Sequence, residues 1–116
     1  MANSSGSTSQ VVLCPNQDKL KEILQENTNR LVVLEFAASW CGYCQLMEPA
    51  VEEMARTYSN VVVFVKIDWD EMRDVTRDYG VRGFPTFILL KKGKKLAKVL
   101  GAKKDELKKQ IEKHKG

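Results

Sequence analysis

The sequence predicts an α/β fold, a mixed central sheet with helices on both faces, in the order βαβαβαββα. Three observations carry that prediction. Short β-branched runs alternate with segments whose apolar residues recur at helical spacing. Two of the runs, residues 31–37 and 61–67, are apolar at nearly every position, as strands buried on both faces are. The last two runs flank Lys91-Lys92-Gly93-Lys94-Lys95, a glycine-containing turn that makes them an antiparallel hairpin. A chain of 116 residues with 43% apolar composition is one domain's worth, with ample material for a single core.

Residues 11–13 form a short first strand, ended by Cys14-Pro15. Asn16 then caps a helix that carries Leu20, Ile23 and Leu24 on one face. Residues 27–30 read as a turn and 31–37 as the second strand, central in the sheet because it is apolar throughout except for Glu35. A helix over about 41–58 places Leu46, Met47, Ala50, Val51, Met54, Ala55 and Tyr58 at helical spacing, with Pro49 expected to kink it. Residues 61–67 are the third strand, interrupted only by Lys66. A short polar helix over 70–78 turns Met72 and Val75 inward, and Gly80 suits the position just past its end. After the connector Val81-Arg82-Gly83-Phe84-Pro85 come strands over 86–90 and 96–100. A last helix over 103–115 then turns Leu107 and Ile111 inward and lysines outward.

Residues 1–10 (MANSSGSTSQ) have neither a basic n-region nor an apolar h-region and are expected to be a disordered polar tail, with the folded domain over 11–116. No run approaches the roughly 18 apolar residues of a membrane span. A cytoplasmic protein without membrane attachment is expected, and in that setting three cysteines do not make a disulfide framework. Residues 91–116 carry 11 of the 19 basic side chains and 3 of the 15 acidic ones. Those lysines are mixed with Asp105, Glu106 and Glu112 and no aromatic interleaves them, so a solvated face is expected and a nucleic-acid footprint is not.

The chemistry centres on Trp40-Cys41-Gly42-Tyr43-Cys44, two thiols separated by two residues where a strand hands over to a helix. At that position the first-turn N–H groups and the helix dipole favour a thiolate over a thiol. A zinc site would need a second pair of ligands. Only Cys14 and His114 remain, at opposite ends of the chain and without knuckle spacing, so no metal and no cofactor is expected.

Taken in order, these features resemble the thioredoxin family over about residues 11–115. The resemblance rests on residues 36–44 (FAASWCGYC), on Pro49, on Lys66 to Asp70, on Gly83-Phe84-Pro85-Thr86-Phe87, and on Gly93 with Gly101. It implies the thioredoxin fold and a protein-disulfide oxidoreductase in which Cys41, as a surface nucleophile, attacks a substrate disulfide and Cys44 resolves the mixed disulfide. It also implies that Pro85 is cis and packs against the cysteines. The Phe84 backbone would pair with an extended substrate, and Trp40, Gly42, Tyr43, Gly83, Phe84 and Pro85 would form the substrate-binding rim. Implied partners are disulfide-containing proteins and thioredoxin reductase as electron donor, the protein itself being a monomer.

Two positions depart from the family pattern. Tyr43 stands where WCGPC has proline; it restores an N–H near the Cys41 sulfur, stabilises the reduced form and is expected to make the protein less reducing than a WCGPC version. Glu35 stands where the family has a buried aspartate. The resemblance makes it the base for Cys44, with a raised pKa and with Lys66 as its partner. From the residues alone, an acid in such a run also fits an edge-strand position facing water, and Lys66 a strand-end surface position.

Two further readings stay open at this level: a glutaredoxin-like or disulfide-isomerase-like oxidoreductase, and a non-catalytic binding module on the same scaffold. Tyrosine inside the motif occurs in glutaredoxin-type sites, whereas Trp40 and Gly42 favour thioredoxin. Cys14 reads as a partly buried free thiol, Trp69 as a neighbour of the rim, and Met47 with Met54 as core.

Overall fold

The structure, a computed structural model, describes residues 9–116. Its elements are β1 (Val11–Cys14), α1 (Gln17–Glu26), β2 (Leu31–Ala37), α2 (Gly42–Thr57), β3 (Val62–Asp68), α3 (Arg73–Asp78), β4 (Thr86–Lys91), β5 (Lys94–Leu100) and α4 (Lys104–His114). The order is the expected βαβαβαββα. Of the tail expected over residues 1–10, residues 1–8 lie outside the described residues. Ser9 Oγ already donates to Glu52 Oε2 of α2 at 2.6 Å, so the chain is attached before β1 begins.

The sheet runs β1-β3-β2-β4-β5, with β2 in the centre as its apolar character requires. β1 and β2 each pair with β3 in parallel, whereas β4 is antiparallel to β2 and β5 antiparallel to β4. Every residue of β2 is buried. Successive side chains of a strand point to opposite faces, and the two cores follow that parity. Leu31 and Val33 join Val62, Phe64, Phe87 and Leu89 beneath α2 and α4. Val32, Leu34 and Phe36 join Val65, Ile67, Ile88 and Leu90 beneath α1 and α3. By the same parity Glu35 and Lys66, which are register partners on β2 and β3, belong to the α2 face. Phe36, Phe64 and Phe87 are fully buried, each stabilising the fold by roughly 1.5–3 kcal/mol through area removed from water.

The local signals act where the sequence places them. Asn16 Oδ1 accepts the Lys19 N–H at 2.8 Å at the start of α1, and Gly80, at φ 71°, ends α3. α2 runs through Pro49 as one helix. Among the described residues no helix is long and apolar enough to cross a membrane.

Two boundaries differ from expectation by more than one residue. The hairpin turn is Lys92-Gly93 alone, at φ 54° and 76°, with Lys94 and Lys95 already in β5. Lysine has little strand propensity, but an edge strand tolerates it on exposed positions. The second difference is α3, which starts at Arg73 and not at residue 70. Asp68 takes over the intervening backbone: its carbonyl accepts the N–H groups of Glu71 and Met72, and its carboxylate accepts that of Asp70 at 2.9 Å. That is an Asx-type turn competing with helix.

Candidate active site

Cys41 is the N-cap of α2, with φ −92° and ψ 107°. Its Sγ accepts the Cys44 N–H at 3.0 Å, and its own N–H donates to Ala38 O at 3.1 Å. The two sulfurs are bonded as a disulfide, with Cα atoms 5.3 Å apart. The sequence reading of Cys41 as a surface nucleophile is corrected here. Cys41 is 5% exposed and Cys44 3%, because Ala37, Ala38, Trp69 and Phe84 pack around the pair. Exposure does not separate the two roles; position on the helix does. Cys41 sits at the positive end of the α2 dipole with an N–H on its sulfur, whereas Cys44 lies inside the first turn. The expectation for Tyr43 is corrected as well: the N–H that reaches the Cys41 sulfur is that of Cys44, which a WCGPC chain also has.

The rim is aromatic. Trp40 is 65% exposed and stands edge-on to Phe84, with ring centroids 5.6 Å apart, and to Trp69 at 6.1 Å. Trp69 is thus a rim neighbour. The Arg73 guanidinium lies 4.3 Å from its ring centroid. Tyr43 is 67% exposed and Leu46 is exposed beside it. The loop before Cys41 is held by Ser39 Oγ donating to Asp70 Oδ2 at 2.8 Å. Across from the cysteines the Phe84–Pro85 peptide is cis. Pro85 O accepts the Gly101 N–H at 2.7 Å, and Thr86 Oγ1 donates to Gly83 O at 2.7 Å, so both flanks of that peptide are fixed. A Cβ added to Gly42 would meet nothing within 4 Å, and one at Gly83 would meet only Leu100 Cδ1 at 3.4 Å.

Glu35 is 2% exposed, which excludes the water-facing edge position. Burial pushes its pKa up from 4.5 to about 7; Lys66 opposes the shift and Glu48 and Glu52 add to it. Its Oε2 has no hydrogen-bond partner among the described residues. Lys66 does not pair with Glu35 as expected. Its Nζ donates to Glu48 Oε2 at 3.2 Å, a partner nearer to water, where the ion pair keeps part of its hydration.

Glu48 escaped the sequence reading. Its signal is its spacing, four residues after Cys44 and therefore on the same side of α2. Ser39, Asp70 and Arg73 were also not singled out for the rim. Cys14 is buried and free; its thiol donates to Asn16 O at 3.3 Å, and burial raises its pKa. Among the described residues no group of three or more His, Cys, Asp and Glu side chains could hold a metal ion.

A disulfide-bonded cysteine pair at one helix N-terminus, with the residue before a cis-proline packed against it, defines a thiol–disulfide oxidoreductase. The thioredoxin family model matches residues 11–113. Thioredoxin H1 of Arabidopsis thaliana is 43% identical over 116 residues, covering 98% of each chain. Thioredoxin H2 of the same plant is 48% identical over 88 residues, covering 76% of this chain and 65% of that one. The chain thus spans about two thirds of some curated relatives and nearly all of others. Among solved structures, thioredoxin NaTrxh from Nicotiana alata superposes with a TM-score of 0.90 at 44% identity, covering 98% of this chain and 100% of that one. The chain belongs to the thioredoxin family. That membership favours a protein-disulfide oxidoreductase over the glutaredoxin-like, isomerase-like and non-catalytic readings.

Proposed function

We propose that this protein reduces disulfides of other proteins by dithiol exchange at Cys41 and Cys44. The observation that carries the reading is the capping of α2 by Cys41, which gives its sulfur a hydrogen-bond donor and the helix dipole. The Cys41 thiolate attacks one sulfur of the substrate disulfide; a protein–substrate S–S bond forms and the substrate's own S–S bond breaks. The Cys44 thiol then gives its proton to the Glu35 carboxylate, and the Cys44 thiolate attacks Cys41 Sγ. The substrate's two sulfurs leave as thiolates and become a dithiol by taking one proton back from Glu35 and one from water, and the protein, having given up two electrons, holds the Cys41–Cys44 disulfide. A Glu35 pKa of about 7 lets it accept and return a proton near neutrality. Trp40, Gly42, Tyr43, Gly83, Phe84 and Pro85 receive the substrate; the open space over Gly42 admits its backbone, and Phe84 pairs with it as an added strand would.

Thioredoxin reductase is the proposed electron donor. Insulin disulfide reduction should proceed with NADPH and thioredoxin reductase, and at least about tenfold more slowly with glutathione as sole donor. Faster turnover with glutathione would move the protein to the glutaredoxin-like class. We place it in the cytoplasm, as a monomer, without nucleic-acid or membrane binding. The intermixed charges of α4 and the odd, unpaired Cys14 support that setting.

Tyr43 adds one amide to the first turn of α2 but not the bond on Cys41 Sγ, so its effect is confined to the dipole. At about 0.3–1 kcal/mol, Tyr43→Pro should lower the reduction potential by roughly 10–20 mV. Equilibration with glutathione buffers measures it, and an unchanged or higher potential counts against the idea.

A further inference from the structure

Two pockets share a wall, and one of them reaches Cys44. One, of about 270 Å³, is lined by Glu35, Leu13, Val51 and Glu52. The other, of about 100 Å³, is lined by Cys44, Ala38, Gln45 and Asp68. Glu48 and Lys66 line both, and their ion pair stands where the two adjoin. Both volumes hold water-sized groups. Lys66 is the register partner of Glu35 on the neighbouring strand and shares its face, so Glu35 is the carboxylate that its ammonium would otherwise meet. Instead Nζ is drawn to Glu48, and Glu35 Oε2 is left unpaired.

We infer that Glu48 is a positioning residue: by holding Lys66 Nζ at the junction of the two pockets, it keeps Lys66 off Glu35 and leaves the Glu35 carboxyl able to carry a proton. The groups facing Glu35 are Lys66 from β3 and Glu48 and Glu52 from α2; its register partner on β4 is Phe87, which does not ionise. Cys44 and Asp68 line the second pocket, which Glu35 does not. Removing the Glu48 charge acts twice in one direction. It removes a repelling neighbour from Glu35, and it releases an ammonium that can stabilise the carboxylate. The part this plays in catalysis rests on Glu35 being the base for Cys44, but the titration of Glu35 tests the inference without that assumption.

Carboxyl-carbon NMR of the full chain in its oxidised form reads that titration in the parent, Glu48→Gln, Lys66→Gln and the double variant. Glu48→Gln should move the Glu35 midpoint down by about one pH unit, and Lys66→Gln should move it up. In the Lys66→Gln background the Glu48→Gln shift should shrink to roughly half or less, because no ammonium remains to be released. An unmoved midpoint in Glu48→Gln overturns the inference. So does a shift of equal size in both backgrounds, since Glu48 would then act by its own charge alone. The pH profile of mixed-disulfide resolution should follow the Glu35 midpoint from variant to variant. A midpoint that moves while the profile stays put supports the Glu48 inference and removes Glu35 from the reaction.

Discussion

Cys44→Ser is expected to turn the protein into a covalent trap. Cys41 keeps its capping position and its helix dipole, so attack on a substrate disulfide still forms the mixed disulfide. Resolution then depends on an external thiol. A neighbouring thiol held in line has an effective concentration on the order of 10⁵ M or more, against about 1 mM for thiol in solution. Turnover should therefore fall by at least about 10³-fold, and non-reducing gels should show substrate bound through Cys41. Cys41→Ser should trap nothing, because Cys44 is buried inside the first turn of α2 without the N-cap position and Cys14 is buried with its pKa raised. Parental turnover in Cys44→Ser, or trapping that persists in Cys41→Ser, would sink the assignment of roles.

Glu35→Leu should stabilise the oxidised protein and slow the reduced one. The Glu35 pKa is raised from 4.5 to about 7 by burial, so folding favours its protonated form. The stability this gives is fully present below pH 4.5 and is lost as pH rises through 7, since the unfolded chain then binds fewer protons than the folded one. The loss amounts to about 3 kcal/mol. Leucine has no such dependence, so Glu35→Leu should exceed the parent by about that much at pH 8 and by far less at pH 4.5. Guanidinium unfolding of the oxidised protein, in which Cys41 and Cys44 do not titrate, measures the difference at both pH values. A parent stability that is flat between pH 5 and 8 would refute the buried-acid account. In the reduced protein, loss of the acceptor should slow mixed-disulfide resolution by about 10²-fold at pH 7.

The sheet was legible because its centre is extreme in composition. Residues 31–37 read as a doubly buried strand, and β2 is one. Asn16 and Gly80 act through a side-chain acceptor and a positive φ, both local properties. What could not be read was competition between neighbours. The turn at Asp68 displaces the start of α3 because one carboxylate and one carbonyl claim three N–H groups. Glu35 was ambiguous for the reason that made β2 clear: a strand apolar on both faces has no alternation to say which way an acid points. The Lys66–Glu48 pair joins a strand to a helix 18 residues earlier, and only the packing of α2 on β3 brings them together. The donor on the Cys41 sulfur likewise depends on the N-cap geometry, which the motif spacing does not specify.

An oxidoreductase of protein disulfides works on other polypeptides, and its own sheet has an open side at β5. Lys94, Lys95 and Lys98 are exposed on that strand, with Lys98 Nζ donating to Gly80 O at 3.2 Å. A polypeptide that tried to zip onto it would have to strip water from these ammonium groups. The substrate pairing proposed at the Phe84–Pro85 corner lies next to the end of β5, and along β5 itself an added chain meets lysine. A lysine-rich edge of this kind is expected to keep the oxidoreductase from templating strands on other polypeptides.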